Sequence, residues 1–303
     1  MHFKKTFFFG VSVFMLMAFC CSEVLVGQTS PGGNAGNTIA LFNGKNFDGW
    51  YKFLRYRGRD NDPNQVFTVK NGMLYISGAE FGCITTHEEY ENYKIVIEYK
   101  YDKDHPLSPA IKDGVARDGG LLMHSKGRDG AYSGIWMSSI EVNIIEGGTG
   151  DFIVVGDGTD RFQISAQVDA QKQAGSYLFK PGSDYIATIR RGRINWLNRD
   201  PTWANVRGYK GKHDLENPLG EWNKLECVAF GDRISVYLNG HFVNEAFNVR
   251  PSGGKIQIQS EAAAMIIRKI DLIPLTTSSS AFLAESGYKQ LFNENDLQGW
   301  RIY

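Results

Sequence analysis

The sequence predicts an all-β protein, a β-sandwich built from antiparallel sheets. Polar and apolar residues alternate with a period of two in several runs, glycine-rich turns separate these runs, and no segment beyond the N-terminus has the pattern of a long amphipathic helix. With 303 residues, 34 glycines and 13% aromatic residues, the chain can bury one large core or two modest ones. The faces of the strands therefore decide which side chains can meet.

The N-terminal segment predicts export. Lys4 and Lys5 precede an apolar run, 7–19, that is too short to span a bilayer as a mature helix. We expect a signal peptide over 1–27 and a flexible leader over 28–38. The protein is then expected in the periplasm or at the cell surface, with no membrane-spanning segment in the mature chain.

The cysteines leave two questions open. Cys20 and Cys21 lie near the end of the predicted signal peptide, so a lipoprotein with one acylated cysteine is an alternative to simple secretion. In an exported protein Cys83 and Cys227 could form a disulfide. Because Cys227 alternates with apolar residues, we expect two free, buried thiols instead.

The predicted strands begin at 39–42, and the period-two alternation assigns a polar and an apolar face to the runs 94–101, 120–124, 139–146 and 255–261. The polar faces carry Glu98 and Lys100, then His124, then Glu141 and Asn143, then Gln257, Gln259 and Glu261. Outer faces of antiparallel sheets can look similar. The mixture of acid, base, amide and imidazole favours a single sugar-sized groove.

Other segments are predicted as scaffold or rim. A strand over 222–230 is followed by a hairpin over 233–243 with its turn at Asn239-Gly240, a dipeptide typical of tight hairpin turns. The segment 192–220 is long for a sandwich connection, and we expect it to form a lid or groove rim.

The C-terminal part contains an internal repeat. The segment 41–50 is echoed at 291–300, with five of ten positions identical. We therefore expect one main domain over 39–275, a linker over 276–286, and a stub of a second repeat over 287–303.

The charge balance excludes several classes of partner. The chain has 33 basic and 33 acidic residues, a formal net charge of zero. No basic stripe indicates nucleic acid and no polybasic run indicates anionic lipid, so a neutral or weakly polar ligand is favoured. We expect no nucleotide cofactor.

Several motifs together resemble one known family; they lie at 41–50, 117–124, 134–136, 139–151, 256–261 and 267–272. The resemblance, over about 39–275, is to the 3-keto-disaccharide hydrolase family, first catalogued as domain of unknown function 1080. It implies a concanavalin A/laminin G-like jelly roll, export, and cleavage of sugars already oxidised to a ketone at carbon 3. It also implies that an oxidoreductase makes the ketone first.

The resemblance implies a specific chemistry. A ketone at carbon 3 acidifies the proton on carbon 2, so a base can remove it, the enolate expels the glycosidic oxygen, and water adds back. We expect Glu141 to be the base and Lys100 or a metal to stabilise the enolate. Glu98 would tune Lys100 or donate a proton, and Glu98 and Glu141 could exchange roles.

A divalent metal is a further expectation. His124 with Glu146 could ligate it, provided that a bulge turns Glu146 toward the groove, and Asp151 is either a third ligand or a turn residue. The expected substrate contacts are Asn143, Trp136, Gln259 and Glu261.

Two alternatives remain open at this point. The string from Glu141 to Glu146 is similar to the Glu-x-Asp-x-x-Glu signature of retaining β-glucanases, with Asn143 at the central position. A non-catalytic carbohydrate-binding module would use tryptophans such as Trp136 as stacking platforms, although tryptophans on a sandwich are more often core residues.

Overall fold

The computed structural model describes residues 37–104, 114–261 and 263–276, and within these ranges it contains strands and no helix. The strands are β1 Ile39–Ala40, β2 Trp50–Leu54, β3 Gly58–Arg59, β4 Phe67–Lys70, β5 Met73–Ile76, β6 Gly82–Thr86, β7 Tyr90–Glu91, β8 Tyr93–Tyr101, β9 Asp118–Lys126 and β10 Ser138–Ile145. They continue with β11 Phe152–Val155, β12 Gln163–Gln167, β13 Tyr177–Leu178, β14 Ile186–Ile189, β15 Gly192–Asn195, β16 Asn223–Phe230, β17 Arg233–Leu238, β18 His241–Arg250, β19 Gly253–Ser260 and β20 Met265–Pro274.

These strands form two ten-stranded sheets. The back sheet has the order β14-β12-β18-β17-β16-β8-β20-β5-β4, with β1 paired to β20. The front sheet has the order β13-β15-β11-β10-β9-β19-β6-β2-β3, with β7 paired to β19. The described pairings are antiparallel except for the parallel pair of β13 and β15. The predicted all-β jelly-roll sandwich is confirmed.

The core lies between the inner faces of the two sheets. On β8, buried residues alternate strictly with half-buried ones, and Ile95 and Ile97 point inward. On β10, Val142 and Ile144 meet them from the front sheet. Burial of each such side chain stabilises the fold by about 1.5–3 kcal/mol, which explains why the register of both strands is well determined.

Most predicted strands are confirmed, with one correction. The hairpin turn at Asn239-Gly240 joins β17 to β18, and Cys83 and Cys227 are free and buried as expected. The segment 192–220 is not entirely a lid, because Gly192–Asn195 is β15 of the front sheet, hydrogen-bonded to β11. Only the part after β15 is a long connection.

Several sequence predictions lie outside the described residues. These are the signal peptide at 1–27 and the repeat stub at 287–303, together with nearly all of the leader and the linker. Among the described residues, no helix has the length and apolarity needed to cross a membrane.

Candidate active site

The outer face of the front sheet carries buried polar side chains at its centre. Glu141 is 4% exposed, Asn143 is 1% exposed and Gln259 is 1% exposed, although all three point away from the main core. A polar outer face is normally solvated, and burying such groups costs free energy unless they are paired. This arrangement is therefore more typical of a functional site than of a plain sheet surface.

A glycine lies at the centre of this polar cluster. Asn143 pairs with Gly120 across β10 and β9, and the register of β9 with β19 places Gln259 on the other side of Gly120. A Cβ atom at Gly120 would lie 2.2 Å from Gln259 Oε1 and 2.8 Å from Glu141 Oε1. The missing side chain leaves room that the side-chain oxygens of Gln259 and Glu141 enter, and this place on the sheet is called the Gly120 hollow; glycine within a strand often marks such a close approach.

Two carboxyl groups are held together by one amide beside this hollow. Asn143 Nδ2 donates to Glu141 Oε1 and to Asp118 Oδ1, at 2.9 Å each, and to the carbonyl of Gly119 at 3.1 Å. Asp118 lies two residues before Gly120 on β9 and thus shares its face. Because both carboxyl oxygens contact one nitrogen, the two acids are close enough to share a substrate.

Both carboxyls hold their protons more tightly than usual. Burial, and then the charge of Asp118, raises the pKa of Glu141 to about 8. Burial raises the pKa of Asp118 to about 6, partly offset by its hydrogen bond from Asn143 and by the charge of Arg193. Near neutral pH the pair therefore holds one proton, with the proton mainly on Glu141.

This shift predicts how stability depends on pH. The ordinary pKa values are 3.8 for Asp118 and 4.5 for Glu141, so the folded state binds protons more tightly than the unfolded chain. The free energy of unfolding contributed by this pair is fully present below these values and falls as pH rises through about 6 and about 8. We expect Glu141→Gln to gain stability relative to wild type between pH 5 and pH 9, by about 1.4 kcal/mol per pKa unit of the shift. Thermal unfolding of both proteins measures this difference, and a difference independent of pH would contradict it.

The third carboxyl of the site is Glu261. It follows β19, and burial together with the charges of Asp118 and Glu141 raises its pKa well above the ordinary value. Its neighbour Gln259 makes no hydrogen bond of good geometry with any described residue, although its amide lies beside Glu141. A buried amide without a partner usually costs free energy, which makes Gln259 a natural ligand contact.

Two arginines, Arg193 and Arg199, form buried ion pairs with Asp151 at the opposite side of the site, and these three residues are called the ion-pair frame. Arg193 Nη1 on β15 donates to Asp151 Oδ2 at 2.6 Å and to Asn143 Oδ1 at 3.3 Å. Arg199 also donates to Asp151, and Trp196 N donates to Asp151 Oδ1 at 2.8 Å. Asp151 therefore fixes the position of Arg193 and of the connection that follows β15, rather than acting only as a turn residue.

A cavity of about 330 Å³ opens next to this frame, lined in part by Asp118, Arg193 and Arg199. Two amide oxygens in its lining, Asn195 Oδ1 and Gln173 Oε1, have no hydrogen-bond partner among the described residues. Unpartnered acceptors and a cationic wall suit a ligand rich in hydroxyl groups.

Glu98 and Lys100 do not belong to this site, and their predicted grouping with Glu141 is wrong. Both lie on β8, on the outer face of the back sheet, across the core from Glu141. Arg268 Nε donates to Glu98 at 2.6 Å, and Lys100 Nζ lies 4.9 Å from the ring centre of Trp222. The alternation gave their face correctly but could not tell which sheet the strand joins.

Substitutions of Glu98 and Lys100 provide a control for variants of the site. We expect Glu98→Gln and Lys100→Met to leave kcat/KM within about twofold of wild type, because neither side chain reaches the Gly120 hollow. Loss of the exposed pair with Arg268 costs at most about 1 kcal/mol. A tenfold loss of kcat/KM in either variant would return these residues to the site.

His124 is also misplaced by the simple alternation. It has a positive φ of 53° where β9 and β19 shift register, and its ring packs edge-on against Tyr93 in the core. Since a carbonyl can only accept, Nδ1 donates to the Pro251 oxygen, at 2.8 Å. Burial lowers the pKa of His124 to about 4. The bulge turns its side chain away from the outer face.

Glu146 cannot share a metal with His124. Its Oε1 pairs with Arg117 Nη1 at 2.6 Å, and its Oε2 accepts from the backbone of Arg117 and of Gly208 at 2.9 and 2.8 Å. The described ranges contain no group of three or more His, Cys, Asp or Glu residues arranged to hold a metal ion. The predicted ligands His124 and Glu146 therefore do not fit a metal ion, and no catalytic step is assigned to one.

Trp136 lies on the outer side of the front sheet, as expected, but it is only 5% exposed. It packs in a second apolar cluster with Cys83 and Leu122. It is therefore packed within this cluster and does not present an open stacking surface.

Sequence reasoning missed Asp118 and Arg193. Asp118 lies inside the 117–124 motif, and extending the period of two backward from Leu122 through Gly120 places it on the polar face of that strand. Arg193 lies in the four-residue strand β15, which gives too short an alternation to recognise.

A comparison with protein families identifies the family of this chain. A family model described as the 3-keto-alpha-glucoside-1,2-lyase-like domain matches residues 37–273. The chain belongs to this family. Membership in the 3-keto-alpha-glucoside-1,2-lyase-like family supports a carbohydrate-active function. Comparison with curated proteins found no match.

Solved structures with related folds are distant. The chain is similar to a putative glycosyl hydrolase from Parabacteroides distasonis ATCC 8503, with 18% identity over 79% of this chain and 100% of that chain and a TM-score of 0.46. It is similar to the carbohydrate-binding module CBM66 from Bacillus subtilis, with 14% identity over 74% and 94% of the two chains and a TM-score of 0.35. It is also similar to a β-glucanase from Bacillus licheniformis, with 10% identity over 80% and 99% and a TM-score of 0.40. At these values the likenesses carry no argument about activity.

Proposed function

We propose that this protein cleaves the glycosidic bond of 3-keto-glycosides by elimination followed by addition of water. The observation that supports this most is the pair of carboxyls, Asp118 and Glu141, held by Asn143 beside the Gly120 hollow. Their pKa values, about 6 and about 8, provide one ionised and one protonated carboxyl near neutral pH. Elimination from a 3-keto-glycoside requires both a base and an acid.

Asp118 is the base in this mechanism. It is the more acidic of the two carboxyls and lines the open cavity, so its ionised form can reach the substrate. It takes the proton from carbon 2, and the electron pair of that bond moves into the enolate of the carbon 3 ketone. This order of pKa values reverses the role of Glu141 expected from the sequence.

Glu141 is the acid. Its raised pKa keeps the proton available at neutral pH. As the enolate forms the double bond between carbons 1 and 2, the bond from carbon 1 to the glycosidic oxygen breaks, and Glu141 gives its proton to that oxygen. Water then adds its hydroxyl to carbon 1 and gives its remaining proton to the ionised Glu141, and Asp118, whose proton exchanges with solvent through the open cavity, returns a proton to carbon 2. The net reaction is hydrolysis.

Two further groups assist the enolate. The Gln259 amide has an N–H donor without a partner among the described residues, and its Oε1 lies against Gly120 on the side opposite Asn143. We assign it to the ketone oxygen, where negative charge develops. The cation of Arg193, fixed by Asp151, stabilises the same charge through space.

The test is product formation from a 3-keto-glucoside and from its unoxidised parent, with and without a chelator. The proposal predicts cleavage of the keto-sugar alone. Cleavage of the parent alone would overturn it, and the chelator arm shows separately whether a divalent ion contributes.

A retaining glycosidase is the second candidate. Two carboxyls that contact the same nitrogen are separated by a distance compatible with the roughly 5 Å of retaining enzymes. That mechanism requires an ionised nucleophile and a protonated acid, which this pair also offers. The same comparison of keto-sugar and parent separates the two candidates.

We also propose that the protein is exported, either secreted or lipid-anchored, on the basis of the basic and apolar N-terminal pattern. The substrate would then meet the enzyme outside the cytoplasm.

A further inference from the structure

A second apolar cluster lies outside the main core, on the outer face of the front sheet. Its buried members are Cys83, Leu122, Ile135, Trp136 and Val155. Four partly buried residues pack against it and retain some exposure: Phe53, Phe81, Tyr132 and Ile153. Partly exposed aromatic side chains on an outer sheet face are typical of a binding surface.

The sheet register places this aromatic patch on the β6 side of the Gly120 hollow, with Gln259 and Glu261 on the β19 side between them. Phe53 pairs with Cys83, and Cys83 pairs with Gln259. Ser260 pairs with Gly82, so Glu261 and Phe81 are the next residues on these two strands. Adjacent strands are about 4.8 Å apart, so Phe81 lies one strand from Glu261 and two from Asp118, and Phe53 lies two strands from Gln259.

The patch is held in place by the connection between β9 and β10. Gln257 Oε1 accepts from Met137 N at 3.1 Å, and Tyr132 and Trp136 form a bridge across the turn. A Cβ at Gly130 would lie 3.3 Å from Phe53 Cζ, so this connection borders the Phe53 ring. Such support makes the aromatic surface a preformed one.

The other side of the hollow has the opposite character. There the 330 Å³ cavity carries Arg193, Arg199 and the unpartnered oxygens of Asn195 and Gln173. The site therefore has a polar half and an apolar half on either side of the carboxyl pair, which matches a ligand with a polar ring joined to an apolar group.

We propose that the aromatic patch of Phe53, Phe81 and Tyr132 binds the leaving group, and that the substrate is a 3-keto-glycoside with a planar, apolar aglycone. This inference rests on the proposed function. The keto-sugar ring lies in the polar cavity, and the aglycone stacks on the patch next to Glu261.

Benzyl and methyl 3-keto-glucosides test the inference. Their leaving groups are alkoxides of similar basicity, so a difference in KM reports the aglycone contact and not the chemistry. We expect the KM of the benzyl compound to be about tenfold lower in wild type, in line with roughly 1.4 kcal/mol for one aromatic contact.

Phe81→Ala should abolish most of that preference while leaving the kcat/KM of the methyl compound within about twofold. Tyr56→Ala, at an exposed position 83% accessible in the β2–β3 turn, is the matched control and should change neither value.

Binding of the unoxidised benzyl and methyl glucosides, measured by calorimetry, provides a readout that does not depend on turnover. A benzyl preference that disappears in Phe81→Ala supports the inference even if no keto-sugar is cleaved, in which case only the proposed function fails. Equal binding of the two glucosides by wild type overturns the inference and leaves the keto-sugar reaction untouched. A change of oligomeric state in Phe81→Ala without a change in benzyl preference would also overturn it, because the patch would then be a contact between copies of the chain.

Discussion

Replacement of Asp118 by Asn is expected to lower kcat/KM for a 3-keto-glycoside by about 10²–10⁴-fold, the usual contribution of a positioned base. The introduced amide would keep the size of the side chain but could not accept the proton from carbon 2. The loss should be the same for every leaving group, because proton removal precedes departure of the glycosidic oxygen. Steady-state kinetics with two leaving groups, an alcohol and a nitrophenol, measures this.

Glu141→Gln separates the acid from the base. A nitrophenol leaves without a proton, so the variant should cleave a nitrophenyl 3-keto-glucoside at a rate near that of wild type while losing activity on the alkyl compound. The opposite pattern would mean that the two roles are assigned the wrong way round. In that pattern, Glu141→Gln loses the same activity on both substrates, and Asp118→Asn keeps near wild-type activity on the nitrophenyl compound. Glu98→Gln serves as the carboxyl control on the other sheet.

The pH dependence of wild type gives a further check on this pair. The kcat/KM profile should be a bell, rising near pH 6 as Asp118 ionises and falling near pH 8 as Glu141 loses its proton. Because the two carboxyls interact, the apparent pKa values of the profile are properties of the pair. Removal of one carboxyl should therefore shift the apparent pKa of the limb that remains. A profile that is flat between pH 5 and pH 9 would contradict the mechanism.

Gly120→Ala is expected to reduce kcat/KM by about 100-fold or more with little change in the fold. The new Cβ would fall 2.2 Å from Gln259 Oε1 and 2.8 Å from Glu141 Oε1, so both side chains must move. Displacing catalytic groups by about 1 Å can cost 10²-fold. Kinetics, together with thermal unfolding, shows whether the loss comes from the site.

The adjacent glycine provides the matched control. In Gly119→Ala the Cβ would point to the core side and meet Met265 Cε at 2.6 Å, the end of a flexible side chain. We expect a modest loss of stability and nearly full activity. If Gly119→Ala were as inactive as Gly120→Ala, or if Gly120→Ala retained wild-type activity, the hollow would not be the site of close approach.

The period-two pattern predicted on which face of a strand a side chain lies, but it did not predict which strands pair with each other. Glu141, Asn143 and Gln259 were placed on the correct face because β10 and β19 are regular over those residues. His124 was misplaced because a register shift between β9 and β19 interrupts the period, and a bulge of this kind has no signature in a Leu-Leu-Met-His string.

The sequence alone did not predict which strands belong to which of the two sheets. Glu98 has the right alternation on β8, but β8 pairs with β16 and β20 in the back sheet, and these pairings span more than 120 residues of chain. Likewise, the contacts of Asp118 with Asn143 and of Arg193 with Asp151 arise from strand pairing. The resemblance to a family predicted the fold and a carbohydrate-active function, whereas the proximity of Asp118 to Glu141 could be found only from the register.

The most direct measurement is the position of deuterium in the product when the enzyme acts on a 3-keto-glucoside in D₂O. Asp118 lines the open cavity, so its proton exchanges with solvent before carbon 2 is reprotonated, and we predict that the released 3-keto-sugar carries deuterium at carbon 2 after each turnover, as read by NMR. The free product incubated without enzyme corrects for spontaneous exchange. Product released with its original hydrogen at carbon 2 would contradict elimination with solvent exchange at Asp118 and would favour direct displacement at carbon 1.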